Sequence, residues 1–445
     1  MTRDHVLLRT SSGKLQLSPL PSAKESSSVR RAAFSATIGN MLEFYDFITY
    51  SFFAIQIGHT FFPTQSEYSS LMLSLVTFGA GFITRPIGGV VLGIYSDRIG
   101  RRPAMLLSFS LMGSAILMIS LTPSYEAIGL AAPIIVIAAR MVQGFALGGE
   151  VGPTTAYLLE IAPPERRALV VAWQPTSQQI AATAGALVGF ILSKTMSPEA
   201  LDAYGWRIAF LLGVVCLPFG FWMRRTLPET VPRAESGAAN FEKSSHFALA
   251  RRYSRVIMLA LMILASGTIS TYVTQYMTTY AQNTLHVAPP VAFATSLVSN
   301  GIQIIGALLG GWLADRFGRK PVMIVPQVIA LIMTYPTFSW MVEVPGTSSL
   351  LFGFSLLSLI GSLPYTAFYA TFIEALPRQI RGGVFATAYA VAIAAFGGTA
   401  QLVVTWLLHV TGHPLAPAWY LLLAGVVGLV AMSLMPETAP GKTSR

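Results

Sequence analysis

The chain alternates long apolar runs with short polar breaks. Twelve runs approach or exceed the roughly 20 helical residues needed to cross a bilayer core. They are 32–58, 68–96, 103–121, 128–159, 168–193, 206–225, 253–281, 290–314, 321–341, 348–374, 382–410 and 415–435, numbered here as spans 1 to 12. Inside lipid every backbone N–H and C=O must be bonded internally, so runs of this length are predicted to be helices. Two stretches break the rhythm. Residues 1–29 are polar and Ser-rich, without the apolar core of a signal peptide, and are expected to be disordered. Residues 227–252 carry Pro, Gly, Ser and charge and read as a linker. The predicted architecture is an all-α membrane protein, with twelve transmembrane helices in two pseudo-symmetric six-helix bundles. The units are a tail (1–29), a bundle (30–226), the linker (227–252), a second bundle (253–436) and a short tail (437–445).

An internal repeat supports the halving. Gly93, Asp97, Arg98, Gly100, Arg101, Arg102 and Pro103 recur 218 residues later as Gly311, Asp315, Arg316, Gly318, Arg319, Lys320 and Pro321. Glu160, Pro163 and Arg167 recur as Glu374, Pro377 and Arg381, and Pro228-Glu229-Thr230 as Pro436-Glu437-Thr438. A repeat of half the chain length means two copies of one unit. In a chain this apolar, it points to a transporter with its substrate site between paired halves.

Composition sharpens the class. Residues are 53% hydrophobic and 11% charged, against about 25% charged in soluble domains. The net charge of +10 could suggest nucleic acid, but its distribution does not. All but four of the 29 Lys and Arg lie on the tails or on alternate loops; the four are Arg85, Arg140, Lys194 and Arg207. That asymmetry is the positive-inside pattern and predicts both termini in the cytoplasm. The lone Cys216 and the scattered histidines offer no metal-site spacing. No phosphate-binding Gly-rich loop is present, so ATP is not expected to drive the work. No cofactor, metal or nucleic acid is expected. The partners are protons, a small organic acid and lipid, with the chain acting as a monomer.

Ionisable groups inside the spans need a reason, because each costs a few kcal/mol to bury. Five stand out away from the span ends, all in the first half: Glu43 and Asp46 on span 1, Arg85 on span 2, and Arg140 and Glu150 on span 4. At about 1.5 Å of rise per residue, Asp46 sits roughly 22 Å above the cytoplasmic edge, and Glu43 and Arg85 about 18 Å. These heights predict that Glu43 faces Arg85 and Asp46 faces Arg140. Three carboxylates against two guanidiniums leave one acid without a cation, and such an acid can carry a proton near neutral pH. Arginine keeps its charge and pairs with carboxylate through a planar fork, which suits an anionic substrate. The same residues could instead only hold spans 1, 2 and 4 together, and Glu150 could serve packing beside Gly148 and Gly149. By the repeat offsets, Arg85 corresponds to Gln303 and Arg140 to Phe354, so the halves share a scaffold but not chemistry.

Neutral polar residues form stripes. Asn40 shares a broad face with Glu43 and Asp46, and Gln143 follows Arg140 by three. Gln174, Ser177 and Gln178 mark span 5; Tyr272, Gln275, Tyr276 and Thr279 mark span 7; Asn300 and Gln303 mark span 8. Such stripes either line a wet path or bond helices to one another. Tyr365, Tyr369 and Gln401 are further candidates, while Tyr50, Phe44 and Phe47 read as packing. Glycines 79, 81, 88, 89 and 93 on span 2, and 144, 148, 149 and 152 on span 4, permit close helix contact.

The repeated loop motif, with Gly39 to Phe47, Gly79 to Gly88, Arg140 to Phe145 and Trp206 to Phe210, resembles the major facilitator superfamily. Within it, these segments are similar to the metabolite:proton symporters, especially the citrate and tricarballylate branch. The resemblance implies alternating access. It also implies that Asp97, Arg101, Glu160 and Arg167, with Asp315, Arg319, Glu374 and Arg381, latch the cytoplasmic face. A basic loop that only sets topology is the other reading of these charges. In sugar porters of the superfamily a carboxylate on helix 1 and an arginine on helix 4 couple protons, and Asp46 and Arg140 look similar in position. The resulting expectation is a symporter, not an enzyme, importing a citrate-like acid. Asp46, Glu43, Arg140 and Glu150 would handle protons, and Asn40, Arg85, Arg140, Gln143, Gln174, Gln178, Tyr272, Gln275, Tyr276, Asn300 and Gln303 would handle substrate. The alternative is symport of betaine, proline, shikimate or oxoglutarate.

Overall fold

The computed structural model describes residues 5–9, 15–19, 40–42, 44–99, 101–148, 155, 158–159, 161–226, 251–377 and 380–439. Side chains of Asp97 and Arg101 lie outside that description, as do residues Glu43, Glu150 and Glu160 and the linker from 227 to 250. Within the N-terminal tail, His5–Arg9 and Leu15–Pro19 pair as an antiparallel ribbon. Two strands alone are marginally stable in water. Everything else that is regular is helical.

Seven helices among the described residues are long and apolar enough to cross a membrane, among them Ser254–Asn283, Pro289–Phe317, Arg319–Glu343, Thr347–Glu374 and Ala416–Leu434. These five match spans 7 to 10 and 12. Outward-facing positions are apolar: Leu121, Val215, Ile332 and Leu423 are 66–73% exposed. Patches of that kind fit lipid, not water.

Proline shapes the breaks. Span 2 divides into Glu67–Ile83 and Arg85–Ile99 at Thr84. Pro86 has no N–H to donate and disfavours helix just before it. Span 5 divides into Arg167–Val171 and Trp173–Thr195, one turn before Pro175, whose ring crowds the carbonyl four residues back. Span 11 widens at a π-turn, Ile393–Gly397, between Arg381–Ala392 and Gly398–Thr411.

Spans 2 and 4 pack backbone to backbone. A Cβ on Gly144 would stand 1.5 Å from the Gly81 carbonyl oxygen, and one on Gly148 2.0 Å from that of Arg85. Thr84 adds a hydrogen bond to the Met141 carbonyl at 2.6 Å. This seam brings Arg85 and Arg140 together. Gly79 instead meets Gly398 of the other half, and a Cβ on Gly93 would meet nothing within 4 Å among the described residues, unlike the close approach expected there.

The halves touch on both faces. On the face carrying the repeated motif, the Asp315 carboxylate accepts from the backbone N–H of Ala168 (3.0 Å) and Leu169 (2.9 Å). On the opposite face, Tyr68 stacks on His409 with ring centres 3.8 Å apart. Between them, Gln401 donates to Ser51 at 2.6 Å and Gln178 to Tyr389 at 3.3 Å.

Candidate functional site

Two arginines lie at the centre, wrapped in aromatic rings. Arg140 is 0% exposed and Arg85 3%. The Arg140 guanidinium carbon is 4.3 Å from the Phe47 ring centre, 4.5 Å from Tyr50 and 5.0 Å from Phe78. That of Arg85 is 4.3 Å from the same Phe47 ring and 4.5 Å from Phe82. The rings also pack on each other, with Phe47 and Phe82 edge to face at 4.9 Å. Desolvated cation–π contacts contribute about 2 kcal/mol each, which offsets part of the cost of burying two like charges.

Neither guanidinium forms an ion pair among the described residues. Arg140 donates through Nη1 to the Gln143 side-chain oxygen at 2.7 Å. The Tyr272 phenol reaches Arg85 from the second half. In both arginines Nε and Nη2 are buried without a hydrogen-bond partner. Those two atoms form the side-on fork that binds a carboxylate through two parallel bonds.

Asp46 corrects the expected pairing. It is 2% exposed, so it does not face lipid, and among the described residues it forms no ion pair with Arg140. Its Oδ1 lies 1.8 Å from where a Cβ of Gly213 would stand, against span 6, and has no hydrogen-bond partner. Beside it, Tyr45 donates to the Ala209 carbonyl at 2.9 Å. Ala209 and Gly213 are one helical turn apart and form the shelf on which Tyr45 and Asp46 rest. Height along the helix leaves several neighbours open, and rotation about the axis decides which one is met. The predicted Glu43–Arg85 contact and the role of Glu150 fall outside the described residues.

Other buried amides lie on spans 1, 4 and 5. Asn40 donates to Ser177 at 2.7 Å and keeps an unbonded Oδ1. Gln174 is fully buried with neither amide atom bonded, and Gln143 Nε2 is likewise unbonded. Unsatisfied buried polar atoms cost about 1–3 kcal/mol each, so their concentration here marks a place awaiting polar partners. Gln178 and Gln303 line a central cavity with Ser270, Thr274, Ser358 and Tyr369. Its volume, about 70 Å³, admits several waters. Neither Arg85 nor Arg140 lines this cavity. Asn300 bonds Gln303 at 3.5 Å. Gln275 and Tyr276 do not line this cavity; the Tyr276 hydroxyl accepts from Thr405 at 2.9 Å.

At the motif face of the second half, Arg319 is 1% exposed. It donates to Asp315 at 2.8 Å and to both oxygens of Glu374 at 3.2 and 3.0 Å. Thr438 donates to Glu374 at 2.8 Å. The Glu437 carboxylate accepts four backbone N–H groups, from Arg319, Lys320, Thr438 and Ala439. Burial works against its charge, yet those donors hold its pKa below the ordinary value. Arg381 donates to the Leu376 carbonyl at 3.2 Å, and Arg167 is half-buried beside Ala168. Sequence reasoning found the Pro-Glu-Thr repeat but gave Glu437 no task. It also read Phe47 and Tyr50 as plain packing, because a ring's neighbour cannot be seen in its own segment.

A family model described as sugar (and other) transporter matches residues 32–234. The chain is 34% identical over 404 residues to the citrate-proton symporter of Salmonella typhi, covering 91% of this chain and 93% of that protein. It is 36% identical over 401 residues to the citrate-proton symporter of Klebsiella pneumoniae, covering 90% of each. A solved D-xylose-proton symporter superposes with a TM-score of 0.73 at 19% identity, over 92% of this chain and 98% of that one, which establishes the fold. A multi-pass helical membrane chain with this fold and these relatives belongs to the major facilitator superfamily, within the family of proton symporters that holds the citrate carriers.

Proposed function

We propose that the chain imports a citrate- or tricarballylate-like acid with protons across the cell inner membrane by alternating access. It acts as a monomer of twelve helices in two six-helix bundles, 30–226 and 253–436, with both termini in the cytoplasm. One observation carries the anionic substrate: two buried arginines whose side-on forks have no partner. A net-neutral zwitterion has one carboxylate, leaves one guanidinium unpaired and brings its own cation, so two positive charges stay uncompensated in low dielectric, whereas a polycarboxylate answers both. The likeness to citrate-proton symporters supports the same reading.

In the proposed cycle, Asp46 takes a proton from outside, with Glu43 and Glu150 as helpers. Substrate carboxylates then bind Arg85 and Arg140. Asn40, Gln143, Gln174 and Gln178 supply neutral contacts from the first half, and Tyr272, Asn300 and Gln303 from the second. Gln275 and Tyr276 support span 7 behind them. Because Asp46 rests against span 6, proton and anion hold neighbouring but separate seats on one turn of span 1. Asp97, Arg101, Glu160 and Arg167 in the first half, and Asp315, Arg319, Glu374 and Arg381 in the second, form the cytoplasmic gate. Ion pairs made in one state and broken in the other bias such an equilibrium. The test uses proteoliposomes with an inward proton gradient. Asp46→Asn abolishes citrate accumulation and spares citrate–citrate exchange; accumulation at the wild-type level by this variant refutes the role.

A further inference from the structure

We infer that Phe47 sets the preference for acids bearing two or more carboxylates, an inference that rests on Arg85 and Arg140 being the anion seat. Both guanidinium carbons stand 4.3 Å from the centre of the one Phe47 ring. Two like charges are thereby held within twice that distance of each other. Among the described residues no carboxylate pairs with either of them. A guanidinium over a ring uses its face, while its N–H groups radiate in its own plane. A ring contact of this kind need not consume the hydrogen-bonding edge. The same two atoms, Nε and Nη2, remain unbonded in both arginines. Phe82 over Arg85, and Tyr50 over Arg140, add a second ring contact to each plane. The result is two oriented forks on one aromatic spacer, built before the ligand arrives.

Such a spacer acts on the second carboxylate more than on the first. One fork alone can rotate to meet a single carboxylate at little cost. Two forks must keep a fixed separation to meet two carboxylates of one rigid acid, and pre-organisation is what makes that second pair favourable. Phe47 does not touch the ligand in this scheme; it is a positioning residue. An ordinary core phenylalanine would instead matter for folding and would weaken all ligands alike.

The experiment titrates the purified full-length carrier in detergent with citrate and, separately, with lactate, which bears one carboxylate. In the wild type, citrate binds at least about tenfold more tightly than lactate. Phe47→Leu keeps an apolar side chain but removes the ring; it raises the citrate Kd by about tenfold. Its lactate Kd rises by less than about threefold, and Phe47→Tyr restores citrate binding to within about threefold of wild type. If Phe47→Leu does not yield a monodisperse protein, Phe47→Met takes its place with the same expectations. Equal weakening of both acids, unchanged citrate binding in the ring-less variant, or a Tyr variant no better than Leu each overturns the inference while leaving the anion seat standing. A wild-type protein that binds no citrate, with Arg140→Gln behaving identically, removes the anion seat and the inference with it.

Discussion

Gly144→Ala adds one methyl group at the seam between spans 2 and 4. Its Cβ would stand 1.5 Å from the Gly81 oxygen, 2.5 Å from the Gly81 carbonyl carbon and 2.7 Å from Thr84 Oγ1. Two of those atoms are backbone, so no rotamer change relieves the clash, and the helices must separate by roughly 2 Å to reach carbon–oxygen contact distance. Overpacking of this kind costs about 1–3 kcal/mol. Gly144 lies one turn beyond Arg140 on the same face, and Thr84 is next to Arg85, so both forks move with the seam. A misplacement of about 1 Å in a preorganised site costs on the order of 10²-fold in rate. Citrate uptake and thermal unfolding in detergent are measured together, with Gly93→Ala as control. A Cβ on Gly93 would meet nothing within 4 Å among the described residues, and an Ala for Gly in a helix is otherwise stabilising by about 1 kcal/mol. The expected result is loss of transport by about two orders of magnitude and a lower Tm for Gly144→Ala, with Gly93→Ala at or above wild type. A Gly144→Ala carrier that melts and transports like wild type refutes the reasoning.

Further outcomes follow from the motif face. Asp315 accepts from Ala168 through one oxygen and from Leu169 through the other, so Asp315→Asn, with a single acceptor oxygen, keeps one of these bonds as a neutral one and loses the other, weakening the closed contact by about 1–2 kcal/mol. Accessibility of a cysteine placed at Ala172 to a membrane-impermeant thiol reagent, measured in inside-out vesicles, rises about 5–30-fold; unchanged labelling shows that the pair is no latch. Glu437 has a folded pKa below its unfolded value, so its anchoring of the tail is complete above the unfolded value and fades as pH falls through the folded one. Proteolytic release of the C-terminal tail therefore increases in acid below the usual carboxylate range, and Glu437→Gln removes that pH dependence. Release that is flat with pH in the wild type contradicts the anchor.

Much of this was legible in the chain, for identifiable reasons. Span positions follow from run length, because lipid leaves the backbone no other solution. Breaks at Thr84 and Ala172 follow from Pro86 and Pro175, although the sequence reading left these spans whole. The glycines at 81, 144 and 148 marked spans 2 and 4 as able to pack closely, but the sequence reading paired Arg85 and Arg140 with acids and did not foresee that they share one ring. What escaped was rotation. Asp46 and Phe47 are adjacent, yet one faces Gly213 and the other faces both arginines. A hundred degrees of helix separates them, and no local pattern says which neighbour stands on which side. The task of Glu437 was hidden for a different cause: capping a helix across the sequence needs the helix end to be brought to it.

The most direct test is calorimetric titration of citrate into wild type, Arg85→Gln and Arg140→Gln in buffers of different ionisation enthalpy. The account predicts that wild-type binding is accompanied by proton uptake. It also predicts that each arginine variant loses citrate affinity by about 10²-fold or more, the loss of a bidentate charged pair. Wild-type affinity in either variant, or citrate binding with no protons exchanged, contradicts it.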